Sequence, residues 1–443
     1  MRIVIAGAGE VGTHLAKMLS DEEQDIIVID SDERRLIALE NYNLMSVVGS
    51  AVSFVDLKNA GVGGADLFIA VTSDETRNVL ACSIAKRLGA RLTVSRVNNA
   101  EFVNRRHREY FNAIGVDNLI YPDEVASEEM LTALRRTWVR NWFELFDGQL
   151  IVVGVKLRAN SVLVGKRLRD LGDVAERMHV CAIKRNRETI IPRGADIILA
   201  NDIVYLATTR AHINAVVDLC GKVHIGVEKV LVMGGGDLTV QLATMAAGRY
   251  RIKIIEPDYA RCEELTTLLP DCIIVNGDAR DTELLDEEGI ADYDVFVALT
   301  DVSEANILGC MMAKEHGVSK TIASIENLQY INEAELLNIG TVINKKLIAS
   351  SRIVQLMLDA DTSNAKCLAL ADAEVAELVI KDGSSVTRAP VRDLRLPDDL
   401  TIAGVVRDGK GMLVQGDTQL RGGDHVVVFC LIGSIHKLDR IFK

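Results

Sequence analysis

The sequence predicts an α/β fold built twice: a parallel sheet covered on both faces by helices, then a small α+β domain, then the same pair again. Three observations predict it. Apolar strand-like runs alternate with helical patterns through the first 137 residues, which is the arrangement of a parallel sheet with helices on both sides. A glycine-rich turn joins the first strand to the first helix. The whole pattern then recurs, with Gly7 falling on Gly234. The predicted domains are 1–137, 141–225, 227–358 and 363–443.

In the first copy the strand candidates are Ile3–Ala6, Ile26–Asp30, Ser46–Val48, Leu67–Val71, Leu92–Arg96 and Asn118–Ile120. Helical patterns Val11–Leu19 and Arg77–Leu88 lie between them. Pro122 and Asp123 suit the start of a further helix, where a missing N–H costs nothing and a carboxylate meets the positive end of the helix dipole. A β-rich segment begins near Asn141, with strand candidates Ile151–Val155, Val180–Ile183, Ile197–Leu199 and Ile203–Leu206. Its counterpart begins near Ala365, and there Asp408-Gly409 between apolar runs signals a hairpin.

The duplication is legible residue by residue. "RIVIAGAGEVGTHLA" from Arg2 lies on "KVLVMGGGDLTVQLA" from Lys229, and "VIDSDERRLIAL" from Val28 lies on "IIEPDYARCEEL" from Ile254, so Asp30 meets Glu256. Gly49, Thr72, Asn78, Cys82 and Lys86 meet Gly277, Thr300, Asn306, Cys310 and Lys314. A repeat this long is a copied domain pair, not a short-period solenoid.

The glycine turn carries the chemistry. Gly7, Gly9 and Gly12 form G-x-G-x-x-G after a strand and at the start of a helix, and Asp30 closes the next strand. This is the Rossmann-like pattern. Gly7 permits the tight turn, Gly9 lets a pyrophosphate approach the backbone, and Gly12 allows close helix–strand packing. Helix amides then face the phosphates. A carboxylate at Asp30 accepts ribose hydroxyls and repels a 2′-phosphate, which favours NAD(H) or an adenine nucleotide over NADP(H). Ala51, Thr72, Ser73 and Arg96 follow or close later strands, on the side where open α/β sheets bind ligands. Thr72 reads equally as a helix cap, and Arg96 as a phosphate ligand or a surface ion pair. In the second copy Thr239 replaces the third glycine, Ser324 stands where Arg96 stood, and Asp278 adds a charge. These changes predict weaker binding, a less charged ligand, or no ligand.

Composition narrows the function. A net charge of −13, with a basic excess in neither half, disfavours nucleic acid as a partner. None of the eight cysteines stands in a C-x-x-C pair, so small core thiols are expected and no metal centre. No apolar run reaches membrane-spanning length, and the first strand starts at once, leaving no leader; a cytosolic protein is expected.

Together with "LFIAVTSDETRNVLACSIAK", "VSRVNN" and "SVLVGKRLRDL", these segments make the chain resemble the tandem RCK family of potassium-uptake regulators, built of TrkA-N and TrkA-C domains. The resemblance implies NAD(H) and possible ATP, ADP or AMP binding, and no catalysis. It implies a cytoplasmic homo-oligomer, a tetrameric ring, peripheral on the inner membrane face beneath an integral-membrane potassium transporter subunit of TrkH/TrkG type. By position it implies nucleotide contacts at Gly7, Ala8, Gly9, Glu10, Val11 and Gly12, and at Asp30, Ala51, Thr72, Ser73 and Arg96. The second set falls at Gly234, Gly235, Gly236, Asp237 and Leu238, and at Glu256, Ala279, Thr300 and Asp301.

Two alternatives stand beside this reading. One is a regulator of another potassium channel or an efflux system. The other is an NAD-dependent dehydrogenase, which needs a general acid or base against the nicotinamide; His179 and His212 are isolated in the sequence and the small domains offer no cleft. A sensor instead works by population shift, in which about 1.4 kcal/mol of differential affinity gives a tenfold change. The hinge candidate is the segment from Tyr121 to Phe146, where Leu134, Trp138 and Trp142 recur at helical spacing and pack either on a neighbouring domain or within their own. The run Arg105, Arg106, His107, Arg108 reads as a solvated helix face or as a surface for an acidic partner.

Overall fold

A computed structural model describes all residues except 21–23, 187, 225, 361–365, 371–372, 432–440 and 443. The chain forms two compact units, one of residues 1–128 with 343–360, the other of 129–342 with 361–443.

The first unit runs β1 (Arg2–Ala6), α1 (Glu10–Ser20), β2 (Asp25–Asp30), α2 (Glu33–Ile37), β3 (Met45–Val48), α3 (Phe54–Asn59), β4 (Leu67–Ala70), α4 (Glu75–Leu88), β5 (Leu92–Arg96), α5 (Arg108–Ala113) and β6 (Asn118–Ile120). The helix α6 (Pro122–Arg135) begins here. The sheet order is β3-β2-β1-β4-β5-β6 and every pair is parallel. Alternation along β1 explains the two-sided core. Ile3 and Ile5 pack with Val11 and Leu15 of α1 on one face, while Val4 and Ala6 pack with Phe68, Ala81 and Cys82 on the other. The first face is completed by Ala349, Ile353 and Val354 from a helix of the second copy, Lys345–Ala360.

The second unit holds an antiparallel sheet of β7 (Asn141–Leu145), β8 (Leu150–Lys156), β9 (His179–Arg185), β10 (Glu188–Ile190) and β11 (Ile203–Thr208), in the order β10-β9-β11-β8-β7, with α7 (Ile213–Leu219) after it. The second parallel sheet follows. Its elements are β12 (Lys229–Met233), α8 (Asp237–Ala246), β13 (Arg251–Glu256), α9 (Tyr259–Leu268), β14 (Ile273–Asn276), α10 (Thr282–Glu287), β15 (Val295–Ala298), α11 (Ser303–Glu315), β16 (Lys320–Ser324), α12 (Gln329–Leu336) and β17 (Thr341–Ile343). Its order, β14-β13-β12-β15-β16-β17, repeats that of the first. After α13 (Lys345–Ala360) come β18 (Lys366–Leu370), β19 (Ala373–Val379), β20 (Leu400–Arg407), β21 (Lys410–Leu413) and β22 (His425–Leu431), ordered β18-β19-β22-β20-β21. The two small sheets share one core, in which Val152, Ala182 and Tyr205 meet Val375, Val427 and Phe429.

Two sequence expectations are corrected. Ile197–Leu199 is not a strand; Ile197 makes one isolated bridge to Arg167. Asp202 explains this, because its carboxylate takes the Leu199 amide at 2.8 Å and the Arg185 guanidinium at 2.7 and 2.9 Å, fixing a loop. The helical stripe also fails: α6 ends at Arg135, and Trp142 lies on β7. Trp138 packs with Val139, Ile151 and Val153 in the first small domain, edge-on to Trp142 at 6.5 Å. The expected hairpin forms, with Asp408 and Gly409 at φ of 51° and 74°. The expected start near Ala365 lies outside the described residues.

Candidate nucleotide site

The site grows from the β1–α1 turn. Gly7 has φ of +109°, and a Cβ there would meet the Thr72 amide nitrogen at 2.9 Å. A Cβ on Gly12 would lie 1.8 Å from the Gly7 carbonyl oxygen, whereas one on Gly9 would touch nothing within 4 Å. Two glycines are therefore required by packing, and the middle one keeps the approach to the backbone open, as a pyrophosphate needs. The first amides of α1 have no partner one turn back. They and the helix dipole make this end attractive to an anion.

Asp30, 8% exposed, is held by the turn it faces. The Ala8 amide donates to its Oδ2 at 2.6 Å and the Asp32 amide to its Oδ1 at 2.9 Å. Each carboxylate oxygen keeps a further lone pair for a ribose hydroxyl. Arg35 approaches Asp30 at 3.8 Å. Ala51 is buried at the end of the third strand's turn. Ser73 is exposed and Arg96 half-buried, both at strand C-terminal ends. Glu10, at the first turn of α1, is ion-paired with Lys346 of α13.

Thr72 does not cap α4. That role belongs to Asp74, which accepts from the Arg77 amide at 3.0 Å. Thr72 is instead fixed by Asn78, 1% exposed. The Asn78 Oδ1 accepts from the Thr72 amide at 2.9 Å and its hydroxyl at 2.6 Å, and the Asn78 Nδ2 donates at 3.0 Å to the carbonyls of both Thr72 and Arg96. One buried amide thus ties the β4 and β5 ends together. Sequence reasoning gave Asn78 no role, although its identity with Asn306 across the copies marked it.

The second copy repeats this geometry with altered parts. Glu256 accepts from the Gly235 amide at 2.7 Å and the Asp258 amide at 2.9 Å, and Asn306 ties Thr300 to Ser324 at 2.6 to 3.0 Å. Thr239 is 1% exposed, and its hydroxyl donates to the Gly234 carbonyl at 2.7 Å. A real Cβ now occupies the place where a Cβ on Gly12 would strike the preceding carbonyl, and the Thr239 hydroxyl bonds the equivalent carbonyl. Asp278 does not add a bare charge: Arg280 pairs with it at 2.6 Å and holds its carboxyl below the usual range. Arg261, also missed in the sequence, donates to the Gly235 carbonyl at 2.8 Å and to Asp237 at 3.0 Å, lying across the turn. Gly236 is open like Gly9. Leu238 and Ala279 are buried, and Asp301 is exposed.

Arg105, Arg106, His107 and Arg108 are all exposed. Six cysteines are buried and Cys272 is half-buried; burial pushes the thiols of Cys220 and Cys310 up to about 12. The Cys367 side chain lies outside the described residues. Among the described residues no three potential metal ligands cluster, and no helix is long and apolar enough to cross a membrane.

Comparison with known proteins follows the same duplicated order. The TrkA-N domain model matches residues 3–122 and 230–345, and the TrkA-C domain model matches 152–221 and 375–443. The chain is 31% identical to the Trk system potassium uptake protein TrkA of Halomonas elongata, over all of this chain and 99% of that one. It is 31% identical to the protein of the same name from Vibrio alginolyticus, over 97% and 95%. Among solved structures, the GsuK channel bound to NAD shares the fold with a TM-score of 0.58 at 15% identity, covering 100% of this chain and 78% of that one. With both domain types matched twice in alternation, and relatives aligned end to end, the chain belongs to the TrkA family.

Proposed function

We propose that the chain is a cytoplasmic, non-catalytic regulatory subunit that binds NAD(H) and adenine nucleotides and gates a membrane potassium-uptake transporter. The observation that carries this is the β1–α1 turn of the first copy. It has an open Gly9, a helix start behind it, and a buried carboxylate at Asp30 fixed 2.6 Å from the Ala8 amide. Relatives matched over 99% and 95% of their length are named for potassium uptake, and the GsuK channel, which shares the fold, has been solved bound to NAD.

In this reading the four domains are 1–137, 141–225, 227–358 and 363–443. Phosphates meet Gly7 to Gly12, ribose hydroxyls meet Asp30, and Ala51, Thr72, Ser73 and Arg96 complete the first pocket. Gly234 to Leu238, Glu256, Ala279, Thr300 and Asp301 form the second. The partner is a TrkH/TrkG-like integral-membrane subunit, and the chains form a tetrameric ring on its inner face. A ligand gates by favouring one arrangement of these bodies over another, with an effect no larger than its difference in affinity for the two.

Isothermal titration with NADH, NADPH and ATP, in the wild type and Asp30→Ala, tests the pocket. NADH should bind more tightly than NADPH, and Asp30→Ala should erase the difference; equal affinity in the wild type defeats the ribose assignment. Potassium flux through a reconstituted transporter subunit tests the gating. Flux indifferent to both protein and nucleotide sinks that part.

A further inference from the structure

The second copy gathers positive charge around the start of β16. Lys320, the first residue of β16, is 8% exposed. Its ammonium donates to the Val139 carbonyl at 3.1 Å and the Thr341 hydroxyl at 2.8 Å. Arg140, the next residue after Val139, donates to the Asn338 side chain at 3.2 Å. Lys314, in the last turn of α11, donates to the Asn338 backbone carbonyl. Three cations from the β7 approach, α11 and β16 thus converge around one loop. Lys156 at the end of β8, Arg158 just beyond it and Lys222 after α7 are close enough to repel them. Glu335 acts on Arg140 and Lys156 from nearby, and Lys184 already pairs with it at 2.9 Å.

The duplication supplies an internal control. Lys86 corresponds to Lys314, and it pairs with Asp117 at 2.8 Å. Gly340 occupies the equivalent place before β17, where a Cβ would lie 2.1 Å from the Thr321 carbonyl oxygen, so no carboxylate side chain fits there. Leu92 opens β5 where Lys320 opens β16. The second copy has therefore lost an anion and gained a buried cation at the same spot, in a chain whose net charge is −13. Clustered, partly desolvated cations with too few carboxylates are stable only at a cost, and a multiply charged oxyanion removes that cost through charge-assisted hydrogen bonds.

We propose that the cation cluster where the first small domain meets the second parallel-sheet domain, built on Arg140, Lys314 and Lys320 with Lys156 and Lys222 beside them, binds a phosphate oxyanion. Lys320 opens β16, at the end of the parallel sheet opposite the second glycine turn, which follows β12. Burial and mutual repulsion push the Lys314 ammonium down to about 8 and Lys320 down to about 7. An arriving anion favours the charged forms, so binding near pH 8 takes up protons.

The test is titration of the full-length protein, saturated with NADH, with orthophosphate, pyrophosphate and ATP, each at pH 8 in two buffers of different ionisation enthalpy. The comparison protein is the double variant Lys314→Gln, Lys320→Leu, which brings the first copy's leucine to the second. Pyrophosphate should bind the wild type with proton uptake, and at least tenfold more weakly to the double variant. If the inorganic probes respond, the ligand is a free oxyanion. If only ATP does, and the variant loses it, the ligand is a nucleotide's phosphate tail; both outcomes uphold the site. Affinities for all three probes that are the same in wild type and variant, or absent in both, overturn it. Should the double variant fail to fold, Lys222→Gln at the half-exposed rim should weaken pyrophosphate about threefold, and an unchanged affinity is equally fatal.

Discussion

At the residue scale, one backbone contact separates the two glycine turns. Gly12 sits where a Cβ would lie 1.8 Å from the Gly7 carbonyl oxygen, and Thr239 occupies the matching place with a hydroxyl donating to the Gly234 carbonyl at 2.7 Å. Gly12→Ala should destabilise the first parallel-sheet domain by about 1–3 kcal/mol, the usual cost of overpacking. Thr239→Ala leaves the Cβ in place and forfeits one hydrogen bond, so about 1 kcal/mol is expected. Hydrogen exchange of the β1 and β12 amides measures both, and equal protection losses would contradict the packing argument. This contact was legible in advance because glycine spacing reports backbone approach directly. The roles of Arg35 and Arg261 were not, since a long side chain near a turn has many places to go and sequence does not choose among them.

At the element scale, the sites depend on loops that hold strand ends in register. Asn78 makes four hydrogen bonds to Thr72 and to the end of β5. Replacing it with alanine orphans buried groups at both strand ends, and about 3 kcal/mol of local stability should be lost, in line with the cost of unsatisfied buried polar groups. NADH affinity should fall with it, while Asn306→Ala leaves the first site's affinity unchanged. Calorimetry on both variants separates these outcomes; loss in both alike would mean a global effect. Element patterns were readable wherever local signals agreed with packing. The Asp408-Gly409 hairpin is an example, because both residues tolerate the positive φ its turn requires. Ile197–Leu199 misled because an apolar run looks the same in a strand and in a loop pinned by a distant carboxylate. The Trp138 and Trp142 spacing misled because four residues span a helical turn only if the helix continues, and α6 stops at Arg135.

At the scale of the whole molecule, the order of elements was legible because the chain states it twice, whereas the packing of small sheet on small sheet was not, since it joins residues far apart in sequence. His179 lies at that junction, its Nε2 3.2 Å from the Thr401 hydroxyl, beside Arg193 and Arg392 in a pocket of about 240 Å³. Burial drives its imidazole down to about 4 from an ordinary value of 6.5. The sign follows from linkage. Between these values the opened state binds the proton and the packed state does not, so stability rises with pH. The contribution is complete above pH 6.5 and is lost as pH falls toward 4, a change on the order of 3 kcal/mol. Hydrogen exchange of the β9 and β20 amides at pH 7 and pH 5 should therefore show the shared core of the small sheets opening more readily in acid, once the intrinsic pH dependence of exchange is removed. His179→Gln should flatten that dependence, because a side chain that does not titrate leaves both states with equal proton occupancy there. If the variant keeps the wild-type slope, acid sensitivity of this junction arises from carboxylates elsewhere, and the imidazole is only a packing group.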